Sequence, residues 1–380
     1  MAGIYIHIPF CKQACHYCNF HFSTQLKYKN AIFNAILQEA EARKSYLQNQ
    51  IVETIYLGGG TPSLLSIDEL NILFDILAKH YDLSDLKEVT IEANPDDLTK
   101  DYLNELKSTA INRLSVGIQS FFDEDLQFMN RAHNAKEAAI CIQLAKDAGF
   151  IKFSIDLIYG IPKKFGGSFE KNLDRFFELD VDHLSAYNLT VEAKTALAKM
   201  IEKEKAPAVD ELQSANEMNY LMNAANQHNY EHYEISNFAR DNKYAIHNTS
   251  YWSGKHYLGL GPAAHSYNGE SRQWNVANNQ TYQKAIEKGD AYFEIEQLTE
   301  IEKLNELLLT GLRTKWGFDL AHIEQLNSEN KSDFNNQLEN YIIKNKAHLI
   351  NEYGFLKLTQ AGKLYADNIA AELFLEGNNN

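Results

Sequence analysis

Between residue 3 and residue 189 the chain alternates six times between a short apolar run and a longer segment of helical periodicity. The runs are residues 3–8, Ile51–Leu57, Glu88–Ala93, Ile111–Ile118, Ile151–Tyr159 and His183–Leu189, each rich in the residues that favour strands. Helical patterns over about Lys27–Leu47, Ser66–His80, Lys136–Ala148 and Ser168–Leu179, and one capped by Thr99, lie between them. Ser66 with Glu69 three residues on reads as a capping box, and Gly149 as a helix stop. Strands alternating with helices predict parallel pairing through right-handed crossovers. Six units without a dinucleotide-binding glycine fingerprint predict an α/β fold, a partial (β/α)6 TIM-like barrel. In such a barrel the C-terminal strand ends converge on one mouth, where ligands bind.

The residues at those ends carry the chemistry. Behind the first strand stands Cys11-Lys-Gln-Ala-Cys15-His-Tyr-Cys18, three thiols within eight residues, a grouping that holds a metal or a cluster. A closed zinc site needs a fourth ligand, for which His16 or His21 is available, but the spacing lacks the paired C-x2-C knuckles of zinc ribbons. A cluster held by three Cys leaves one iron open to something else. Behind the second strand, Gly58-Gly-Gly-Thr-Pro62 lets backbone approach a ligand closely, with free amides and carbonyls to bind its polar ends. By itself such a run is often only a turn. Glu92, Gln119, Asp156 and Tyr187 lie at or near the ends of strands three to six, with Arg131 beyond strand four. Singly, each acid reads as a helix cap or a salt-bridge partner. As a set around one mouth they could grip the amine, ribose hydroxyls and carboxylate of a nucleoside-like molecule, Arg suiting the carboxylate.

Cys141, the fourth of four cysteines, reads as a small core residue on a helix, so there is no disulfide framework and a reducing compartment is expected. The net charge of −15 argues against nucleic-acid partners and weakly against docking on anionic lipid. No apolar stretch approaches a membrane span, and the N-terminus lacks a signal-peptide pattern, so the expected location is the cytoplasm. After Thr190 the pattern changes. Residues 192–229 read as helical and charged, broken at Ala206-Pro-Ala208. Residues 228–275 are aromatic-rich and irregular and hold His228, His232, His247, His256 and His265. An amphipathic helix is expected over 297–315 and a small helical domain with a hairpin near Gly354 over about 317–376, with Asn378–Asn380 frayed.

Tyr5-Ile-His-Ile-Pro-Phe-Cys11, the three-Cys spacing, Gly58-Gly-Gly-Thr-Pro62 and Ile155-Asp156-Leu-Ile-Tyr-Gly160 together resemble the radical S-adenosylmethionine superfamily. More narrowly they resemble its oxygen-independent coproporphyrinogen III oxidase-like (HemN-like) group, over nearly the whole chain. The resemblance implies that Cys11, Cys15 and Cys18 bind a 4Fe–4S cluster whose fourth iron is chelated by S-adenosylmethionine, and that an electron donor feeds the cluster. It matches Tyr5, Tyr17, Gly59, Gly60, Thr61, Glu92, Gln119, Arg131 and Asp156 to cofactor-contacting positions. Tyr17 is expected to give the cluster apolar cover. In such enzymes an electron from the cluster cleaves the sulfonium and yields a 5′-deoxyadenosyl radical.

The oxidase pattern has a further Cys two residues after the third, where this chain has Phe20, and a long N-terminal extension, where ten residues precede Cys11 here. Both departures resemble instead the HemW branch, the haem chaperones of the superfamily. That branch is marked by His-Asn-x-x-Tyr-Trp, and this chain has His247-Asn248-Thr-Ser-Tyr251-Trp252, flanked by Tyr233–Phe238 and Leu258–Ser266 segments of the same likeness. An imidazole can ligate haem iron, and Tyr and Trp offer flat faces to a porphyrin. The resemblance therefore implies haem contact at His247, Asn248, Tyr251 and Trp252, and delivery of haem to acceptor haemoproteins, respiratory ones among them. Delivery to membrane haemoproteins would require brief contact with a bilayer. His256 and His265 are expected to be structural. The alternative function is the oxidase itself, oxidative decarboxylation of coproporphyrinogen III to protoporphyrinogen IX. The expected domains are a barrel of the radical S-adenosylmethionine type over 1–230, a mixed, irregular aromatic and His-rich region over 231–295 carrying the haem site, and a winged-helix-like C-terminal domain over 296–380, with a docking or lid role.

Overall fold

The apolar runs form six consecutive parallel strands in a computed structural model that describes residues 1–163, 168–345 and 347–376. They are β1 (Ala2–Ile8), β2 (Val52–Gly59), β3 (Glu88–Ala93), β4 (Arg113–Gln119), β5 (Phe153–Tyr159) and β6 (His183–Asn188), each paired in parallel with the next. The helices Lys29–Ala42, Ile67–His80, Lys100–Leu106, Ala135–Asp147 and Phe169–Glu178 lie in the crossovers. Their starts follow from local side chains. Ser66 and Glu69 form the expected capping box, Asn134 and Glu137 form a second, and Thr99 and Ser168 each accept from a first-turn amide. The expected frayed end at Asn378–Asn380 lies outside the described residues.

Each strand alternates, with an aliphatic outer face and a polar inner one. On β1, Ile4, Ile6 and Ile8 are buried in the main apolar core, while Tyr5 and His7 share the opposite face. The same alternation puts Thr54 and Tyr56, Thr90 and Glu92, Ser115, Ser154 and Asp156, and Ser185 on the inner face of the following strands. Tyr5 stacks on Tyr56 across the β1–β2 pair, and Ser154 bonds Ser185 across β5–β6 at 2.9 Å. The lumen is therefore a polar layer, unlike the aliphatic filling of a closed TIM barrel.

Residues 231–295, expected to be irregular, carry short strands that extend both edges of this sheet. β7 (Glu231–Glu234) and β8 (Asn237–Ala239) follow β6, while β9 (His256–Leu260) pairs in parallel with β1 and leads to β10 (His265–Tyr267), β11 (Ser271–Asn275) and β12 (Phe293–Gln297). Strands of three to five residues are too short for a period-2 pattern to register, and their pairing partner is the barrel edge, which is distant in sequence. The result is a twelve-stranded sheet in the order β12-β11-β10-β9-β1-β2-β3-β4-β5-β6-β8-β7. The helix Ile246–Trp252 connects β8 to β9 along the chain.

The C-terminal part has its own apolar cluster, built on the helices Glu300–Leu312, Ser328–Lys344 and Ala366–Glu372 and on a three-stranded antiparallel sheet, β13 (Phe318–Asp319), β14 (Leu349–Glu352) and β15 (Phe355–Leu358). The β14–β15 turn uses Tyr353 and Gly354, both at positive φ, as a two-residue hairpin demands. It joins the barrel edge at β7, where the Ile235 amide donates to Arg313 O at 3.0 Å and Lys315 donates to Tyr233 O at 3.0 Å. Arg313 also pairs with buried Glu234 at 3.1 Å. Among the described residues no helix is long and apolar enough to cross a membrane.

Arg313→Ala removes the cation beside a carboxylate that the fold keeps dry. Urea denaturation should show a loss of about 3 kcal/mol, with earlier proteolysis between the barrel and the C-terminal part.

Candidate functional site

The Cys loop leaves the mouth end of β1 and is held there by backbone. Cys11 N donates to Ser23 O at 3.1 Å, His16 N to Met129 O at 3.0 Å, and Leu197 N to His16 O at 2.7 Å. The glycine run after β2 lies directly against it. The amides of Gly60 and Thr61 donate to Ile8 O and Phe10 O at 2.9 and 2.7 Å, and that of Gly59 to Glu92 at 3.2 Å. These amides are therefore not free for a ligand, contrary to expectation. A Cβ on Gly60 would meet Phe10 O at 2.6 Å, and one on Gly59, at φ +107°, the His7 ring at 2.5 Å. The glycines are required first by close packing onto the strand that launches the Cys loop.

Cys11, Cys15 and Cys18 are free and half-buried, and each sulfur has a donor. The Thr61 hydroxyl serves Cys11, the Phe20 backbone serves Cys18, and Arg131 Nη1 lies 3.3 Å from Cys15 Sγ. Burial nevertheless pushes the Cys11 thiol up to about 11 and raises Cys18, so thiolate there calls for a bound cation. Among the described residues no three His, Cys, Asp or Glu side chains converge as ligands of one metal ion. The zinc alternative is not assembled: His16 Nδ1 bonds Phe128 O at 2.8 Å, and His21 Nε2 lies 2.6 Å from Asn279 Oδ1. Thiolates that each bind a different iron of a cluster stand further apart than ligands sharing one ion. A half-buried three-thiol donor set with a hydrogen bond to every sulfur fits that group.

Arg131 is the hub between this loop and the strand ends. It reaches Tyr17 Oη at 3.4 Å, Asn94 Oδ1 at 2.6 Å and Gly117 O at 2.8 Å, while its Nε is buried without a partner. Asn94 follows β3, so its position behind a strand was the available sequence signal. Gln119, at φ +66°, also keeps its Oε1 buried and unpartnered. Glu92 accepts from Tyr56 Oη at 2.8 Å, and Ser115 Oγ lies 3.4 Å from both Asp156 oxygens. Burial raises Glu92 to about 7 and Asp156 to about 6, and each carboxyl lies in the field of the other lumen groups. Two carboxyls held near neutrality, beside an orphaned guanidinium nitrogen and an orphaned amide oxygen, suit a ligand with cationic and polar ends.

A cavity of about 700 Å³ adjoins this mouth. Tyr5 and His7 of β1 and Asn19–His21 of the Cys loop form one wall, and Tyr251, Trp252, Tyr257 and Tyr267 form another. Glu306, Leu307 and Thr310 on the helix Glu300–Leu312 complete it, with Arg272 and His265. Phe20, 69% exposed, stands between the Cys loop and the aromatic wall. The Trp252 indole Nε1 is buried without a partner.

The haem-segment expectation divides here. Tyr251 and Trp252 line the cavity, and His247 and Asn248 do not. His247 is 1% exposed, its Nδ1 lies 2.8 Å from Thr54 Oγ1, and its Nε2 lies 2.8 Å from Tyr251 Oη. Its ring stacks on Tyr56, and the Ile246 and His247 amides donate to Glu88 at 3.0 and 2.9 Å. Both ring nitrogens are committed, so the imidazole expected to face haem instead anchors the helix Ile246–Trp252 to the lumen. A distance of 193 residues between His247 and Thr54 hides this role from sequence reasoning. Cys141 is buried on its helix.

The sequence profile of the Radical SAM superfamily matches residues 5–176. The chain is 34% identical to the "Heme chaperone HemW" of Bacillus subtilis, over 97% of this chain and 98% of that protein. It is 31% identical to the protein of the same name from Haemophilus influenzae, over 98% and 97%. Among solved structures it is similar to the coproporphyrinogen III oxidase HemN of Escherichia coli, a radical SAM enzyme, with a TM-score of 0.83 and 24% identity, over 98% of this chain and 90% of that one. The last comparison speaks to the fold.

Burial lowers His247 from the ordinary 6.5 to about 3. The folded state therefore excludes a proton that the unfolded chain takes up below pH 6.5. This stabilisation is full above that pH and declines as pH falls towards 3, at about 1.4 kcal/mol per pH unit. His247→Gln should lower stability at pH 7.5 and make the denaturation midpoint fall less steeply between pH 6.5 and 4 than in wild type.

Proposed function

The chain belongs to the HemW group of the radical S-adenosylmethionine superfamily, and on that footing we propose that it is a haem chaperone. It binds haem in the aromatic cavity and passes it to acceptor haemoproteins in the cytoplasm or at a membrane surface. A 4Fe–4S cluster on Cys11, Cys15 and Cys18 and S-adenosylmethionine occupy the adjoining barrel mouth. The observation that carries this reading is the cavity of about 700 Å³, within the roughly 300–1,000 Å³ of small-molecule sites, walled by aromatic rings and touching the Cys loop through Phe20.

When bound and reduced, the cluster supplies one electron to the sulfonium of the cofactor. The chain's own residues position the parts. Arg131 holds the Cys15 sulfur and Tyr17 and keeps one nitrogen for the cofactor. Glu92, Gln119 and Asp156 offer their oxygens to its amine and ribose, and Tyr5, Gly59, Gly60 and Thr61 form the floor on which it rests. Burial that raises Glu92 and Asp156 favours pairing them with an arriving cation, which draws both back towards the carboxylate form. Tyr251 and Trp252 supply flat faces for a porphyrin, Trp252 with an unsatisfied N–H beside it. Asn248, half-buried on the same helix, supports that wall.

Anaerobically purified protein should carry iron and sulfide and give saturable haem titration by visible absorption, with transfer to an apo-haemoprotein. The triple Cys11, Cys15, Cys18→Ser variant should lose iron and sulfide and keep haem binding. Wild type that binds no haem, or that converts coproporphyrinogen III to protoporphyrinogen IX, overturns the chaperone reading.

A further inference from the structure

The large sheet has two edges, and the fold treats them differently. At one, Glu234 of β7 forms an antiparallel bridge with Thr314, so the C-terminal part caps that strand. At the other, β12 pairs with β11 on one side, and no strand lies beyond it among the described residues. Its pairs with β11 run from Ser271–Gln297 to Asn275–Phe293 without a register shift, so no bulge twists the free edge away. The strand also holds no Pro and no Lys, two further devices that blunt an edge.

Phe293 is anchored beneath the Arg43 guanidinium at 4.4 Å, and the other four residues of β12 are exposed. At their centre Ile295 is 52% exposed, an aliphatic side chain on an open edge. Glu294 and Glu296 flank it on the opposite face, and neither carboxylate has an ion-pair or hydrogen-bond partner among the described residues. Arg272 stands opposite Glu296 in the register, but its guanidinium is held by Glu306. A free row of backbone donors and acceptors recruits another extended chain, and the side chains beside it select which one. A second copy of β12 paired antiparallel about Ile295 would set Glu294 against Glu296 twice, like charges directly opposite, which is unfavourable. A strand with Lys or Arg facing these two carboxylates and an aliphatic residue between them gains at all three positions.

We propose that β12 is a docking edge for an extended basic segment of a partner protein, added to the sheet as a further strand. Arg272 of the neighbouring β11 lines the aromatic cavity, so a partner held here stands beside it. The partner's chemistry is read from this edge alone and does not depend on what the cavity carries. The full-length protein is titrated with a short fluorescein-labelled peptide that alternates lysine and valine, and binding is followed by fluorescence anisotropy. Wild type should bind saturably, and more weakly as salt is raised. The double variant Glu294→Lys, Glu296→Lys should bind this peptide at least about tenfold more weakly, equivalent to ~1.4 kcal/mol. It should instead take the peptide that alternates glutamate and valine, which a misfolded chain would not do. Methylating the backbone nitrogens of the lysine peptide keeps its charge and should abolish binding, because a paired strand needs its amides. No binding by wild type, equal binding by the double variant, or equal binding of the methylated peptide overturns the proposal. The haem titration is read separately, and its failure overturns the chaperone reading alone.

Discussion

A polar lumen can be buried only if its groups find partners, and this requirement organises the molecule. Ser154 meets His183 at 2.7 Å, and His183 meets Tyr233 Oη at 2.6 Å. Thr54 meets His247, and Glu88 takes the first amides of the helix that carries it. Arg113, equally buried, lies 3.6 Å from Glu88. An unmade hydrogen bond in such a place costs about 1–3 kcal/mol, so these pairings fix where the edge strands and the helix Ile246–Trp252 must sit. At the mouth, Gln119 Oε1 and Arg131 Nε are left over, and at the cavity Trp252 Nε1. The Thr90 hydroxyl within the lumen is also without a partner, but at the mouth the unpaired atoms stand together with Glu92 and Asp156, where a ligand can complete them.

What the sequence made legible was what local pattern controls. Six strands, the capping boxes and the Cys loop each depend on residues close together in the chain. What stayed hidden depends on neighbours far away. The strands β7 to β12 exist because the barrel edges offer them hydrogen bonds, and nothing in their three to five residues announces it. The glycine run was readable as a close approach, but the approaching body is the backbone of Ile8 and Phe10. His247 was marked by the company it keeps in its motif, although its own nitrogens serve Thr54 and Tyr251.

β1 joins the two sites. Its outer face is core, its inner face gives Tyr5 and His7 to the cavity wall, its end launches the Cys loop, and its free edge accepts β9. Through β9 it positions the strands that bear His265 and Arg272. A change in the register of this one strand would move the thiols and the cavity together.

The order of the large sheet begins at β12 and stops at β7, with no ladder between those two strands among the described residues. The helix Ile246–Trp252 is held instead to the inner strands, its His247 ring by Thr54 of β2 and its first amides by Glu88 of β3. Among the described residues the curvature of the sheet is therefore set strand by strand along its length and by the helix held to β2 and β3, with no closing ladder to fix it.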